Sequence, residues 1–302
     1  MQAHDDLYPS RTGEKETIVR RQDKVVYGNV QPDVEHTLYR DQLDSYERDG
    51  FLVLPDYMPE MVAPLLEEID NLKVSMAGNE ELYTEPDSQE VRTIFKPFAY
   101  SQLIDRFSRH PKILNVAQQL LASEVYITQS RVNVKPAYKG KSFAWHSDFE
   151  TWHVEDGMPR MRAVTAWIML TENNEFNGPL YVIPGSHLDF VSCAGTTGEK
   201  NYAQSLKTQT AGVPQPETMD KILENREIKA VHGSPGTVVF HECNIIHGSP
   251  DNISGQPRSL LMFVYNSCEN KLVEPFCDQP PRPHYLRNPD ATAIAAVRAN
   301  DS

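Results

Sequence analysis

Two side chains that commonly bind metals stand close together in the run FAWHSDFETWH, residues 143–153. If this segment is extended, successive side chains point to opposite faces, so His146 and Asp148 share a face while Ser147 points away. An imidazole and a carboxylate then converge without any helix. Because such a tripeptide also occurs by chance, the pair predicts a metal site only if another segment supplies a further ligand.

The stretch GTVVFHECNIIHGSP supplies a candidate for that ligand. It has the pattern of a strand running into a turn, and it places His247 at the strand end, where the mouth of a barrel would hold a ligand. Two imidazoles and one carboxylate form the facial triad that suits non-haem Fe(II) and leaves three adjacent coordination positions open. We therefore predict that His146, Asp148 and His247 are the metal ligands and the catalytic residues.

An arginine follows the distal histidine at an informative distance. Arg258 lies eleven residues after His247 and opens the apolar run SLLMFVY. If the intervening GSPDNISGQP is a hairpin loop, Arg258 begins the neighbouring antiparallel strand and its guanidinium can lie inside the barrel. A guanidinium grips a carboxylate at two points. These features fit 2-oxoglutarate, with its far carboxylate on Arg258 and its keto-acid end on the iron, in an O₂-dependent hydroxylase.

Other interpretations of the same residue types stay open. His153 and Glu155 form an H-x-E pair that could bind zinc in a hydrolase, although the chain lacks the helical HExxH frame. His187 could replace His247, but no arginine follows it eleven residues on. A jelly-roll binding protein without catalytic activity is a third alternative, of which a degraded metal site would be the sign.

The elements that must position these residues change along the chain. After residue 124, short β-branched and aromatic runs alternate with Gly, Pro and Asn, and a helical pattern recurs only near 215–227. This pattern predicts a mainly β fold with flanking helices, an antiparallel barrel or jelly roll. Helices are predicted earlier, near 39–50, 61–72 and 113–122.

The expected organisation is a single domain with two flanking segments. Residues 1–38 are polar and predict an irregular arm, either a disordered tail or an arm that wraps the domain. The domain is expected over 39–285, with a helical flank at 39–123 and a jelly-roll core at 124–276. Residues 286–302 are expected to form a tail, as a short helix or frayed.

Composition restricts the partners. The chain has 302 residues and a formal net charge of −13, so its average surface would repel nucleic acid and anionic membranes. Its four cysteines form no CxxC pair, which favours reduced thiols. No apolar run reaches the roughly 18 residues that span a bilayer. We expect a cytoplasmic protein with a small-molecule substrate, and a homodimer is left open.

The sequence resembles the phytanoyl-CoA hydroxylase-like Fe(II)/2-oxoglutarate dioxygenases and, among them, the ectoine hydroxylases. The resemblance covers roughly residues 7–285, and its most specific stretch is FAWHSDFETWHVEDGMPRMRAV; NGPLYVIPGSH and CNIIHGS are also similar. It implies a double-stranded β-helix (a cupin-like jelly roll), the triad and Arg258 anchor already named, and hydroxylation of a small zwitterion such as ectoine to 5-hydroxyectoine.

The resemblance also implies roles for residues of the strand TQSRVNVKP and its surroundings. Gln129 matches a substrate-binding glutamine, while Asn133 and Lys135 match residues near 2-oxoglutarate. Without the resemblance, the alternation of polar residues with Val132 and Val134 fits a cavity lining or a solvent-facing edge strand equally. Trp152 matches a tryptophan beside the substrate, where an indole face would attract the ring cation. Ser249 is a further pocket candidate.

Two positions depart from the ectoine hydroxylases. Those enzymes usually have phenylalanine six residues before the distal histidine and four residues after the arginine, where this chain has His241 and Met262. The neighbouring Phe240 and Phe263 could replace them only through a one-residue slip, which turns a side chain to the opposite face. We therefore expect His241 and Met262 to contact the substrate, and another amino acid or amino-acid-derived metabolite is the alternative substrate.

Overall fold

The computed structural model describes residues 6–85, 88–206 and 208–297. Helices concentrate in its first part and strands in its second. The α-helices are α1 (Arg40–Asp49), α2 (Val62–Ser75), α3 (Gln102–Ser108), α4 (Pro111–Leu121), α5 (Asp148–Asp156), α6 (Asn201–Ser205) and α7 (Pro216–Leu223). The strands are β1 (Thr17–Arg20), β2 (Phe51–Leu54), β3 (Leu82–Thr84), β4 (Val91–Phe95), β5 (Val125–Lys135), β6 (Phe143–His146), β7 (Ala163–Met169), β8 (Leu180–Val182), β9 (Asp189–Ser192), β10 (Lys229–Val231), β11 (Val238–Glu242), β12 (His247–Ser249) and β13 (Arg258–Ser267).

Two antiparallel sheets pack face to face, and β1 and β9 form a separate two-stranded sheet. The large sheet has the order β2-β11-β7-β13-β5-β4-β3 and the small sheet the order β10-β8-β12-β6. Strands that are far apart in the sequence lie side by side; β13, for example, pairs with both β5 and β7. The predicted jelly roll with flanking helices is confirmed, although the segment expected as a helical flank also contributes β2, β3 and β4 to the large sheet.

The central strands of the large sheet are buried on both faces. On β13, Leu261, Phe263 and Tyr265 belong to the hydrophobic core shared with the helices. The alternate residues Leu260 and Met262 belong to a second core, shared with the small sheet. Burial on both faces explains why the run SLLMFVY is continuously apolar rather than alternating, and each fully buried large side chain contributes about 1.5–3 kcal/mol.

The helices of the first part begin and end near the predicted positions. Helix α1 ends at Gly50, which has a left-handed φ of 80°. A side chain at this position would collide with the ring of His187, so the turn needs glycine for space as well as for conformation. The predicted helices near 61–72 and 113–122 correspond to α2 and α4.

The segment before α1 lies against the domain. Strand β1 pairs with β9, and Tyr8 is fully buried against Phe149 and Phe190. Arg11 reaches two buried carboxylates, Glu150 and Glu155. From residue 6 onward this arm therefore wraps the domain, while residues 1–5 of the predicted arm lie outside the described residues.

The segment after residue 286 is neither helical nor frayed as far as residue 297. Ile294 donates its backbone N–H to Val125 and Val297 donates to Arg109, which holds the segment extended along the core. The last part of the predicted tail, 298–302, lies outside the described residues. In the described ranges, no helix has the length and hydropathy needed to cross a membrane.

Candidate active site

His146 and Asp148 lie at a junction between a strand and a helix. Strand β6 ends at His146. Ser147 caps helix α5, its hydroxyl accepting the Glu150 N–H at 3.4 Å, and Asp148 is the first helical residue. The prediction of an extended segment without a helix was therefore wrong beyond Ser147. The two side chains still converge, because the chain turns into the helix directly after the histidine.

His247 reaches the same point from the adjacent strand. Strands β12 and β6 pair with His247 directly opposite His146, and the two ring centroids are 4.3 Å apart. One ligand atom from each of His146, Asp148 and His247 lies within 4.8 Å of the other two. The structure thus brings the three predicted ligands together on buried side chains.

Backbone carbonyls determine which ring nitrogen of each histidine is free. The Nδ1 of His146 lies 2.7 Å from the Ala144 carbonyl, and the Nδ1 of His247 lies 3.0 Å from the Ile245 carbonyl. A carbonyl can only accept, so each Nδ1 carries a hydrogen, and in the neutral ring each Nε2 then presents a lone pair. Those Nε2 atoms lie 3.5 and 3.9 Å from the carboxylate oxygens of Asp148. This donor set fits a divalent cation.

Electrostatics around the triad also favours a cation. Burial opposes ionisation of Asp148, but His247, His146 and His241 outweigh it and hold its pKa well below the usual range. Burial and the neighbouring His146 lower the pKa of His247 to about 3. At neutral pH the site therefore presents an ionised carboxylate and a neutral His247 imidazole, the protonation states that metal ligation requires.

Arg258 is a buried cation without an anion. Its Nη2 donates to the Asn133 side-chain oxygen at 3.1 Å, while its Nε has no acceptor. In the described part of the chain no carboxylate pairs with it, and burial together with Arg131 lowers its pKa to about 9. A dicarboxylate such as 2-oxoglutarate would supply the missing partner. The orphaned guanidinium therefore fits the predicted co-substrate.

The polar face of β5 lines the same cavity. Gln129, Arg131 and Asn133 lie on its wall, while Val132 and Val134 belong to the core on the helix side. Of the two arrangements that the alternation allowed, the structure has the cavity lining. Gln129 is held by a 3.1 Å hydrogen bond that its side-chain amide donates to the Leu286 carbonyl.

Lys135 differs from the other predicted residues of this strand. It pairs with Arg258 in register, but it is not part of the cavity wall, and its amine donates to the Pro250 carbonyl. Burial, with Arg258 and Arg92 nearby, lowers its pKa to about 6. The structure therefore places Lys135 beside the predicted anchor rather than in the cavity.

The remaining predicted pocket residues all reach the cavity wall, and they are Trp152, Ser249, His241 and Met262. Met262 accepts a hydrogen bond from the Arg131 Nε through its sulfur, at 3.0 Å. Phe240 and Phe263 are buried in the core on the helix side. No one-residue slip has occurred, so His241 and Met262 themselves occupy the cavity.

The cavity wall also contains residues that were not assigned roles from the sequence, among them Arg131, Trp167 and Arg282. Arg131 lay in the recognised alternation of β5, and Trp167 shares the inner face of β7 with Thr165 by the same period of two, so alternation could have indicated both. Arg282, which grips Asp156 through contacts of 2.8 and 2.6 Å, comes from an irregular segment whose sequence pattern contains no such signal.

The alternative ligands lie elsewhere. Both ring nitrogens of His153 are engaged, at 2.8 Å from the Met158 carbonyl and 3.0 Å from Asp6, and Glu155 pairs with Arg11. His187 packs behind Gly50, with its Nε2 3.1 Å from the Glu47 carbonyl. Among the described residues only the predicted triad forms a cluster able to hold a metal.

Comparison with known proteins gives consistent matches over nearly the whole chain. An ectoine dioxygenase from Bordetella bronchiseptica is 48% identical over 300 residues, covering 98% of this chain and 96% of that protein. The structure of EctD from S. alaskensis with 2-oxoglutarate and 5-hydroxyectoine is 40% identical with a TM-score of 0.87, covering 97% and 98% of the two chains. The same protein with bound Fe is 39% identical, with a TM-score of 0.86 and the same coverage. The family model of phytanoyl-CoA dioxygenase (PhyH) matches residues 46–260, and the chain therefore belongs to the phytanoyl-CoA dioxygenase family.

Proposed function

We propose that this protein is an Fe(II)- and 2-oxoglutarate-dependent dioxygenase that hydroxylates ectoine to 5-hydroxyectoine. The observation that carries the proposal is the meeting, in one buried cavity, of the His146, Asp148 and His247 cluster with the unpaired guanidinium of Arg258. The matching ectoine dioxygenase shares 48% of its residues with this chain, which supports the same substrate.

The residues have distinct roles in this proposal. The triad holds the iron, and Arg258, positioned by Asn133, binds the far carboxylate of 2-oxoglutarate. Bound Fe(II) with 2-oxoglutarate and O₂ supplies oxidative decarboxylation to succinate and CO₂, coupled to insertion of one oxygen atom into a C–H bond. The protein orients the substrate carbon and limits water by enclosing the reactants.

Ectoine is a zwitterion, and the cavity offers a partner for each of its charges. Arg131 is partly buried on the cavity wall, its pKa is lowered by burial, and it forms no ion pair with any described carboxylate. With Arg258 assigned to 2-oxoglutarate, Arg131 is available to the carboxylate of the substrate. The indole of Trp152 on the cavity wall offers a face to the ring cation.

A second substrate class has a specific observation in its favour. His241 and Met262 occupy cavity positions where the resemblance leads us to expect phenylalanine. A polar ring and a thioether would suit another zwitterionic amino acid, or a metabolite derived from one, that has an additional polar group. A substrate panel separates the two classes. Release of succinate with an equimolar amount of hydroxylated product should be highest with ectoine. If only a free amino acid gives equimolar succinate and hydroxylated product, the substrate belongs to the second class.

The metal assignment has its own experiment. Anaerobic addition of Fe(II) and 2-oxoglutarate should give a weak visible charge-transfer band, and Asp148→Ala should lose both the band and succinate formation. Asp70→Ala, at an exposed site on α2, is the matched control and should retain both. Coupled turnover by the Asp148 variant would contradict the assignment.

We also expect the protein to act in the cytoplasm, because its described cysteines are unpaired thiols, as a reducing compartment keeps them. A homodimer stays a prediction. Light scattering coupled to size-exclusion chromatography would measure a mass of about twice the 34.3 kDa of one chain if the dimer forms.

A further inference from the structure

A third histidine lies at the metal centre beside the two predicted ligands. His241 on β11 is buried, its Nε2 lies 3.6 Å from Asp148 Oδ2, and its ring centroid is 5.2 Å from that of His247. Distance alone does not tell whether it would bind a metal ion, contact substrate or act on the carboxylate. The hydrogen bond on the other side of its ring distinguishes these roles.

In that hydrogen bond the His241 ring is the acceptor, whereas the rings of the two predicted ligands, His146 and His247, are the donors. The indole Nε1–H of Trp167 donates to His241 Nδ1 at 3.1 Å. An indole N–H can only donate, so this Nδ1 has the lone pair and the hydrogen of the neutral ring is on Nε2. In His146 and His247, carbonyl oxygens impose the other tautomer. The rings of His146 and His247 therefore present lone pairs at the side of Asp148, and the ring of His241 presents an N–H.

The sheet holds Trp167 in place for this role. In the β11–β7 ladder, His241 lies opposite Thr165 and Trp167 lies opposite Val239, so the histidine and the tryptophan are diagonal neighbours on the inner face. Trp167 is 2% exposed and cannot readily move away. If His241 were to present a lone pair to the metal, two N–H groups would face each other in a buried site, which is unfavourable.

The Nε2–H of His241 has no acceptor in the described structure. The nearest carboxylate oxygen is Asp148 Oδ2, a few tenths of an ångström beyond hydrogen-bonding length. The other oxygen, Oδ1, is the one closest to His146. A small rotation of the carboxylate would close the gap, satisfy the orphaned donor and leave Oδ1 for a metal ion.

We propose that His241 is a positioning residue of the metal centre, donating its Nε2–H to Asp148 Oδ2 and thereby restricting Asp148 to ligation through one oxygen, with Trp167 maintaining the donor tautomer. The inference deepens the proposed function and rests on its metal triad, but not on the identity of the substrate. Phenylalanine, expected here from the resemblance, has no donor, so the substitution adds a contact rather than only removing an aromatic wall.

The experiment measures binding of Co(II) alone, by calorimetric titration and by the d–d absorption of the complex, without 2-oxoglutarate or substrate. His241→Phe should weaken Co(II) binding at least about tenfold, as loss of a hydrogen bond to a ligating side chain does. It should also change the d–d band intensity, as Asp148 shifts toward two-oxygen ligation. His241→Gln, whose amide can place an N–H near the former Nε2, should stay within about threefold of the unmodified protein.

Two further variants complete the design. Trp167→Phe retains the imidazole but frees its tautomer, and should weaken Co(II) binding by less than His241→Phe does. His232→Phe, at an exposed site, should bind like the unmodified protein. Equal affinity of His241→Phe and the unmodified protein, or equal weakening by His241→Gln and His241→Phe, would overturn the positioning role and leave the triad standing. Absence of Co(II) binding by the unmodified protein would instead overturn the proposed function. Should His241→Phe fail to fold, the Gln and Trp167 variants decide the question.

Discussion

Replacing Arg258 by methionine should have opposite effects on the free protein and on co-substrate binding. Without ligand, the guanidinium is buried, pairs with no described carboxylate, and has one hydrogen bond, to Asn133. Replacing such a charge by an apolar side chain of similar length is neutral or stabilising, by about 1–4 kcal/mol in comparable cases. Loss of the hydrogen bond to Asn133 offsets about 1 kcal/mol of this gain in the free energy of unfolding. We therefore expect Arg258→Met to unfold at a higher urea concentration than the unmodified protein when both are free of metal.

The effect on 2-oxoglutarate should be large and unfavourable. A charged hydrogen bond contributes about 1.5–3 kcal/mol, and a two-point contact with a carboxylate provides two of them. The loss of about 3–6 kcal/mol lowers affinity by roughly 100-fold to about 20,000-fold. Titration of 2-oxoglutarate into the Mn(II)-loaded protein measures this directly, and the added stability that the ligand gives the unmodified protein should disappear in the variant.

Arg282 is the matched control, since it lines the same cavity but grips Asp156. Arg282→Met leaves that carboxylate buried and should destabilise the free protein by about 3–5 kcal/mol. Equal destabilisation of the free protein by Arg258→Met and Arg282→Met would contradict the assignment of Arg258 as an unpaired cation. Binding of 2-oxoglutarate by Arg258→Met as tight as that by the unmodified protein would contradict its role as the anchor.

Three further predictions follow from charge and burial. Because the pKa of Lys135 is about 6 in the folded protein and about 10.4 unfolded, the unfolded chain binds more protons between these values and stability should rise with pH there. Lys135→Met should therefore reduce the slope of the free energy of unfolding against pH, between pH 7 and 9, by up to about 1.4 kcal/mol per pH unit. The control Lys139→Met, at an exposed site, should leave this slope unchanged. Equal slopes in the unmodified protein and in Lys135→Met would contradict the lowered pKa. Arg11→Met should lower the free energy of unfolding in urea by about 3–5 kcal/mol, because Glu150 and Glu155 stay buried without their cation. A loss below about 1 kcal/mol would show that the ion pairs of Arg11 with these two carboxylates do not hold the arm. Mn(II) at 100 times its dissociation constant should add about 2.7 kcal/mol to the free energy of unfolding, EDTA should reverse the gain, and Asp148→Ala should show no gain.

Much of the fold could be predicted from local patterns. The helices at α1, α2 and α4 and the strands β5, β7, β11 and β13 have periodicities and end signals that act over a few residues. The helix α5 was missed because all of its residues except Thr151 are buried, apolar and polar alike. Burial on nearly every side removed the amphipathic pattern that indicates a helix.

Charged residues show where local patterns fail. The run VEDGMPRMR has the density of charge that is typical of a solvated loop, yet its Glu155 and Asp156 are buried. Their partners Arg11 and Arg282 come from opposite ends of the chain. No local pattern contains such partners, and without them the same residues would be expected in solvent.

By itself, the sequence determined the ligand types, the strand alternation that places Gln129 and Asn133 on one face of β5, and the turn that delivers His247, because each depends on residues near in the chain. Only the tertiary structure decided which nitrogen each histidine presents and which arginines lack an anion. A carbonyl beside His247 and an indole beside His241 give the two rings opposite tautomers. Strand pairing between distant segments brings the Trp167 indole beside His241, whereas the Ile245 carbonyl is only two residues from His247 and is aimed at its ring by the local backbone path. Hydrogen-bond direction and desolvation, rather than residue type, therefore determine the chemistry.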